Sequence, residues 1–187
     1  MHYQGQKKTN YLAARVSVLA MLGVITLAGC STVTNDKSLQ CPEVLILSDG
    51  AELVSFTPGK SATAQNIAHE ELFNGFRGTC EYNIDDGIMN IEIIPQFIST
   101  KGPANSENTA RFEYFVALSD SNNKVINKQR FPVTLTYPEK SDEMVWNEDT
   151  PVTLTLPLKE GESAAKWRIF LGLQLSREEL QYIKANR

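Results

Sequence analysis

Short stretches with alternating apolar and polar side chains recur along this sequence and constrain its fold more than any other feature. In the stretch FEYFVAL at 112–118, every second side chain is large and apolar, and the same alternation recurs in VTLTY at 133–137 and VTLTLPL at 152–158. A period of two is that of a β-strand, in which successive side chains point to opposite faces. These stretches therefore predict strands with one buried face.

Turn signals separate further apolar runs and predict a protein rich in hairpins. The Asp85-Asp86-Gly87 turn lies between strands predicted at 80–84 and 88–97, and Asp-Gly is favoured in tight hairpin turns. Shorter strands are predicted at 44–47, 53–56 and 167–175. Seven or eight short strands joined by hairpins predict an all-β fold, namely an antiparallel β-sandwich of immunoglobulin-like or fibronectin-like type.

The stretch at 65–82 is compatible with two structures. Leu72 and Phe76 can share one face of a helix. Gly75 and Gly78 would each destabilise that helix by about 1 kcal/mol. We therefore predict a strand that contains a bulge or a kink.

Three local signals bear on the ends of predicted elements. Proline has no backbone N–H, so Pro132 predicts that the strand at 125–137 lies at a sheet edge or contains a bulge. Residues 138–149 predict an acidic loop that holds Trp146. The sequence Ser-Arg-Glu-Glu at 176–179 fits a capping box and predicts a short C-terminal helix.

The N-terminus has the pattern of a bacterial export signal. Its first 15 residues carry three basic and no acidic side chains. The apolar run at 16–27 is shorter than the roughly 20 residues that span a bilayer. Leu27-Ala28-Gly29-Cys30 resembles the lipobox of bacterial lipoproteins, which implies cleavage between Gly29 and Cys30 and lipidation of the Cys30 thiol. An ordinary secretory signal with an incidental cysteine is the alternative.

The lipobox, the polar stretch at 31–40 and the strand pattern that follows it together predict three segments: a signal peptide at 1–29, a lipidated stalk at 30–40 and a β-sandwich domain at 41–187. More than one acyl chain at Cys30 would anchor the protein stably, since a single chain binds membranes only weakly. In such lipoproteins Ser31, rather than an aspartate, favours the outer membrane over the inner one. We thus expect a periplasm-facing domain anchored by lipid in the cell envelope.

Cys41 and Cys80 remain as one pair once Cys30 is lipidated. In an oxidising compartment such a pair forms a disulfide by default. A zinc site would need further ligands and redox exchange would need a Cys-x-x-Cys motif, and neither pattern accompanies this pair. We predict a structural disulfide between Cys41 and Cys80.

The acidic charge balance limits the choice of partners. The full chain has a net charge of −4, and removal of the signal would take away positive charge only. Nucleic acids and anionic lipid surfaces attract clustered cations, so neither is an expected partner of the domain. We expect membrane contact through the N-terminal lipid and binding to another envelope protein.

Several short sequences together resemble an uncharacterised family of small envelope lipoproteins of alphaproteobacteria and their relatives. They include CPEV at 41–44, FTPG at 56–59, GTCEY at 78–82, YFVA at 114–117, KQRFP at 128–132 and GLQL at 172–175. The similarity covers nearly the whole mature chain and departs around 61–69, where such proteins carry more acidic residues. It implies an envelope lipoprotein with a single β-rich domain and transfers no catalytic residue.

The sequence offers few groups for catalysis or metal binding. His69 is the sole histidine of 30–187, and no Gly-x-Ser-x-Gly, His-x-x-x-His or Walker glycine motif is present. We favour His69 as a polar surface residue beside Glu70 and Glu71. Carboxylates cluster at Asp85-Asp86 and on either side of Trp146, but their spacing matches no calcium loop, so no metal or other cofactor is predicted.

Trp146 is the candidate contact with a partner, because tryptophan is enriched at binding hot spots; a packed lid over the core is the alternative. The leading hypothesis is a non-enzymatic binding or adaptor module anchored by lipid at Cys30. A periplasmic carrier of a small ligand or calcium is the second hypothesis. A hydrolase centred on His69 is the third.

Overall fold

The computed structural model describes residues 40–83, 85–159 and 162–187. The predicted signal peptide at 1–29, its cleavage site at Gly29 and Cys30, lipidation of Cys30 and the stalk up to residue 39 lie outside the described residues. Within these ranges the domain consists of nine strands and one α-helix. The elements are β1 (Glu43–Ile46), β2 (Glu52–Phe56), β3 (Ile67–Asn83), β4 (Ile88–Lys101), β5 (Thr109–Ser119), β6 (Val125–Thr136), β7 (Glu143–Asn147), β8 (Val152–Pro157), β9 (Arg168–Leu173) and α1 (Arg177–Asn186).

The strands form two sheets, which confirms the predicted all-β class. One sheet has the order β1-β9-β5-β6, and the other has the order β2-β3-β4, with β7 and β8 both paired to the far edge of β4. In β5 the prediction of a single buried face is wrong, because Phe115 and Ala117 are buried as well as Tyr114 and Val116. The alternation read from the sequence does appear as alternate burial at the end of β6, where Thr134 and Thr136 are exposed while Val133 and Leu135 are buried. Val133, Leu135 and the inward side chains of β4 and β5 belong to one hydrophobic core.

The long strand β3 confirms the interpretation of 65–82 as an irregular strand. Its pairing register with β4 shifts between Phe73 and Gly75, which marks a bulge. Gly75 has a φ of 136° there, a conformation that glycine adopts without the strain of a side chain. The turn at 85–87 joins β3 to β4 as an antiparallel hairpin, as predicted.

Strand β6 lies at the edge of its sheet, which agrees with the prediction from Pro132. Two other predictions need correction. Residues 143–147 are not a loop, because β7 pairs with β4 and buries part of its apolar surface there. The sandwich is also not wholly antiparallel, since β1 pairs with β9 in parallel. Sequence alternation reports burial and carries no information about strand direction.

The helix α1 begins at the predicted capping box. The Ser176 hydroxyl accepts a hydrogen bond from the Glu179 N–H, and the Glu179 carboxylate accepts one from the Ser176 N–H. The helix packs beside β2 through an edge-to-face contact between Phe56 and Tyr182, with ring centroids 5.0 Å apart. No helix in the described ranges is long and apolar enough to cross a membrane.

The predicted disulfide between Cys41 and Cys80 is present, with 6.1 Å between the two Cα atoms. Cys41 lies two residues before β1 of the four-stranded sheet, and Cys80 lies in β3 of the other sheet. The bond therefore links the two layers of the sandwich at the point where the described chain begins.

Candidate functional site

A chain of polar side chains lies buried between the two sheets. Glu71 on β3 and Ser99 on β4 are direct partners in the pairing register, and both are buried, Glu71 with only 2% of its surface exposed. The Ser99 hydroxyl donates to Glu71 Oε1 at 2.9 Å. The Ser99 hydroxyl has a single proton and donates it to Glu71. The Tyr137 hydroxyl is therefore the donor in the 2.8 Å contact between Tyr137 and Ser99 Oγ.

His69 extends this chain toward the surface. Its Nδ1 atom lies 3.1 Å from Glu71 Oε1. Its Nε2 atom accepts a hydrogen bond from the main-chain N–H of Arg111 at 3.4 Å. A neutral imidazole carries one proton, so this acceptor role at Nε2 places the proton on Nδ1. The proton on Nδ1 therefore lies on the side of the imidazole that faces Glu71.

The interpretation of His69 as a polar surface residue is wrong, because only 6% of its surface is exposed. His69 and Glu71 lie between Ile67 and Phe73 at every second position of β3, and all four side chains are buried. The sequence contains the signal for this arrangement, since a period of two from Ile67 to Phe73 puts both polar residues on the apolar face. This signal is weak because Glu70 lies between His69 and Glu71, so the three consecutive residues are all polar.

Burial is the main cause of the pKa shifts of Glu71 and Tyr137. Removal of water from around the Glu71 carboxyl raises its pKa, because the charged form loses solvation, while the adjacent His69 and Ser99 act in the opposite direction. Burial also raises the pKa of Tyr137 to about 12, and the nearby Glu71 adds to that rise. Tyr137 therefore stays protonated and keeps its donor role toward Ser99.

A surface cleft opens beside His69. It has a volume of about 300 Å³ and lies between the residues that follow β2, the loop from β4 to β5, and the start of β5. Thr57, His69, Asn105 and Arg111 are among its lining residues. Arg111 forms an ion pair with Glu107 at 2.8 Å on the rim. The cleft therefore joins a charged rim to a polar floor.

Three buried polar atoms in and behind this cleft lack a hydrogen-bond partner among the described residues. They are Thr57 Oγ1, His69 Nδ1 and Glu71 Oε2. The approach of His69 Nδ1 to Glu71 Oε1 is close but does not have the geometry of a hydrogen bond. Buried polar groups are nearly always paired, so a cluster of unpaired ones next to a cleft indicates where a bound group would satisfy them.

The same chain of contacts differs from the arrangement that a serine hydrolase uses. A nucleophilic hydroxyl must contact the imidazole that takes its proton. Here the Glu71 carboxylate accepts the hydrogen bond from the Ser99 hydroxyl. Glu71 therefore lies between Ser99 and His69. Ser99 is also fully buried, with 0% of its surface exposed. Ser99 and His69 are therefore not arranged as a nucleophile and its base.

The residues proposed for partner contact and metal binding lie elsewhere in the domain. Trp146 on β7 pairs with Phe97 on β4 and stacks on its ring at a centroid distance of 5.8 Å. Its half-buried ring packs on the core, as in the lid interpretation. Glu148 accepts a 2.7 Å hydrogen bond from the Tyr114 hydroxyl. Over the described ranges, no three His, Cys, Asp or Glu residues form a group that could hold a metal ion.

Fold and site together define a disulfide-linked, two-sheet β protein with a loop-lined polar cleft. No protein-family model matches the chain, and neither curated proteins nor solved structures include a significant match. The resemblance to small envelope lipoproteins therefore stays a prediction from the sequence.

Proposed function

We propose that this protein is a lipid-anchored component of the bacterial envelope whose β domain binds another envelope protein and is not an enzyme. The lipobox sequence motivates lipidation at Cys30, with the domain facing the periplasm from the outer membrane. The Cys41–Cys80 disulfide supports an oxidising compartment, because such bonds persist mainly outside the cytosol. The two facing sheets linked by this bond support an immunoglobulin-like or fibronectin-like type of sandwich.

The observation that carries the binding role is the set of unpaired polar atoms at the cleft. Thr57 lines the cleft and its Oγ1 can donate or accept a hydrogen bond, whereas His69 Nδ1 faces the buried Glu71 carboxylate behind the cleft. A main-chain group or polar side chain of a partner segment would pair with Thr57 Oγ1 while the Arg111–Glu107 rim orients it. Leaving such an atom unpaired costs about 1–3 kcal/mol, so pairing it favours the complex.

A carrier of a small polar ligand is the second candidate. The cleft volume of about 300 Å³ falls at the lower end of the range of small-molecule sites, roughly 300–1,000 Å³. The two candidates share one recognition chemistry and differ in the size of what is bound.

Lipidation is tested with labelled palmitate in cells that express the full chain. We expect the wild type to incorporate the label and Cys30→Ser to lose it completely, because the thiol at this position is the acceptor. Ser31→Ala is the matched control and should keep the label. A wild-type protein that remains unlabelled would contradict the proposed anchor.

The cleft is tested by photo-cross-linking in intact envelopes from two exposed positions. Ser106 lies at the cleft end of β5, and Asn122 lies in the turn at the other end of that strand. A photoreactive residue at 106 should yield a discrete protein adduct, whereas the same residue at 122 should not. Adding Thr57→Val should weaken the adduct several-fold, because it removes a hydroxyl and keeps the shape.

Equal adducts from positions 106 and 122 would overturn the assignment of the cleft. If position 106 gives no protein adduct while a small polar compound raises the thermal midpoint of the wild type and not of Thr57→Val, the carrier function is correct instead. Binding to the native state raises that midpoint by mass action, so the two outcomes are distinguishable.

A further inference from the structure

The second half of strand β3 has one edge without a neighbouring strand. Strand β2 pairs with β3 only between Ile67 and Leu72. From Asn74 to Asn83, β3 pairs with β4 on one side, and no described strand pairs with its other side. We call Asn74–Asn83 the open edge. Backbone N–H and C=O groups along such an edge are available to another strand.

The remaining sheet edges are protected or short. Helix α1 packs beside β2. Strand β6 carries Lys128, Arg130 and Pro132, which are residues that disfavour pairing at an edge. Strand β1 has 4 residues, and β7 and β8 have 5 and 6. The open edge is longer than these and contains no proline.

The side chains of the open edge are self-complementary about Thr79. In an antiparallel pair with a two-fold axis at Thr79, residues equally distant from it on opposite sides face each other. Arg77 then lies opposite Glu81 of the second copy, and Glu81 lies opposite its Arg77. Within the described chain, the side chains of Arg77 and Glu81 are exposed and form no ion pair with other residues.

The same register pairs aromatic residues on the other face of the strand. Phe76 lies opposite Tyr82 of the second copy, and Phe76 is 37% exposed in the isolated domain. Aromatic and opposite-charge pairs across neighbouring strands stabilise a sheet. A two-fold axis at Arg77 or at Glu81 would instead place like charges directly opposite each other. Among these three positions, only the axis at Thr79 places opposite charges against each other.

We propose that a second copy of this chain binds antiparallel along the open edge, with the two-fold axis at Thr79. The five-stranded sheets of the two copies then join into one continuous sheet. Cys80 is adjacent to Thr79 and bonded to Cys41, so the N-terminal ends of both domains emerge near the axis. That placement suits two copies attached to one membrane, a point that rests on the proposed lipid anchor. Confinement in one membrane would strengthen a small interface by raising the effective concentration.

The test is co-purification of two differently tagged full-length chains that are expressed together. We expect wild-type chains to co-purify. Arg77→Glu in both copies, or Glu81→Arg in both copies, should reduce co-purification at least ten-fold, because like charges then meet twice across the axis. One Arg77→Glu copy with one Glu81→Arg copy should restore it, because every charge again faces an opposite one.

Lys124→Glu in the turn between β5 and β6 is the control for a change of net charge and should leave co-purification unchanged. Circular dichroism of each variant confirms that the domain is folded, so that loss of pairing cannot come from unfolding. Wild-type chains that do not co-purify would overturn the proposal. It is also overturned if the mixed pair of Arg77→Glu and Glu81→Arg associates no better than either variant with itself.

Discussion

Removing the disulfide between Cys41 and Cys80 is expected to lower the free energy of unfolding of the β domain by about 4 kcal/mol. The bond closes a loop with a sequence separation of 39 residues. Closing a loop of about 40 residues restricts the unfolded chain by an amount equivalent to roughly 4 kcal/mol on the loop-entropy model. The loop includes β1, β2 and most of β3, so it contains strands of both sheets.

Denaturant unfolding of the wild type, with and without a reducing agent, measures this loss. The double variant Cys41→Ser, Cys80→Ser should unfold at the same midpoint as the reduced wild type and should not respond to the reducing agent. Cys30→Ser is the control, because Cys30 lies outside the bond, and its midpoint should equal that of the wild type. A reduced protein within about 1 kcal/mol of the oxidised one would show that the bond does not stabilise this fold as the loop model requires.

Phe97→Ala is expected to destabilise the domain by about 3–5 kcal/mol, the usual cost of removing a buried aromatic ring. Phe97 has 0% of its surface exposed. Its ring contacts Phe73 of its own sheet at 4.6 Å between centroids. Across the sandwich, the corresponding distances are 5.4 Å to Phe112 and 5.3 Å to Tyr114. Truncation therefore leaves a cavity where the two sheets meet.

The same unfolding measurement compares Phe97→Ala with two further variants. Phe97→Leu should cost less, because the leucine side chain fills part of the cavity. Val145→Ala is the matched control on β7, where the side chain is 55% exposed, and it should cost less than about 1 kcal/mol. If Phe97→Ala were no more destabilising than Val145→Ala, the proposed packing of the two sheets around Phe97 would be wrong.

The candidate site could be predicted only in part. The period of two from Ile67 to Phe73 places His69 on the buried face, although the sequence interpretation put it on the surface. Ser99 and Tyr137 carry no local signal that links them to Glu71, because 28 residues separate Glu71 from Ser99 and 38 residues separate Ser99 from Tyr137. Their meeting depends on the pairing register of β3 with β4 and on the packing of the sheets.

The environment of Trp146 also depends on strand pairing that its local sequence does not predict. Its acidic neighbours predict a loop, yet residues 143–147 pair with β4 because that strand extends beyond β8 and leaves its edge free for β7. The stacking of Trp146 on Phe97 follows from this pairing. The loop prediction for residues 143–147 is therefore wrong, whereas the interpretation of Trp146 as a packed lid agrees with its stacking on Phe97.

What the sequence alone determined are features that depend on near neighbours: the strand periodicity, the Asp-Gly turn, the bulge near Gly75 and the capping box at Ser176. The disulfide between Cys41 and Cys80 is predicted from the number of cysteines and the expected oxidising compartment. Only the tertiary structure decided that β1 lies parallel to β9, that Glu71 pairs with Ser99 beside His69, and that β3 has an open edge among the described strands. The physical reason is that these contacts join segments far apart in the chain, and their free energies depend on register and layer packing that no local pattern encodes.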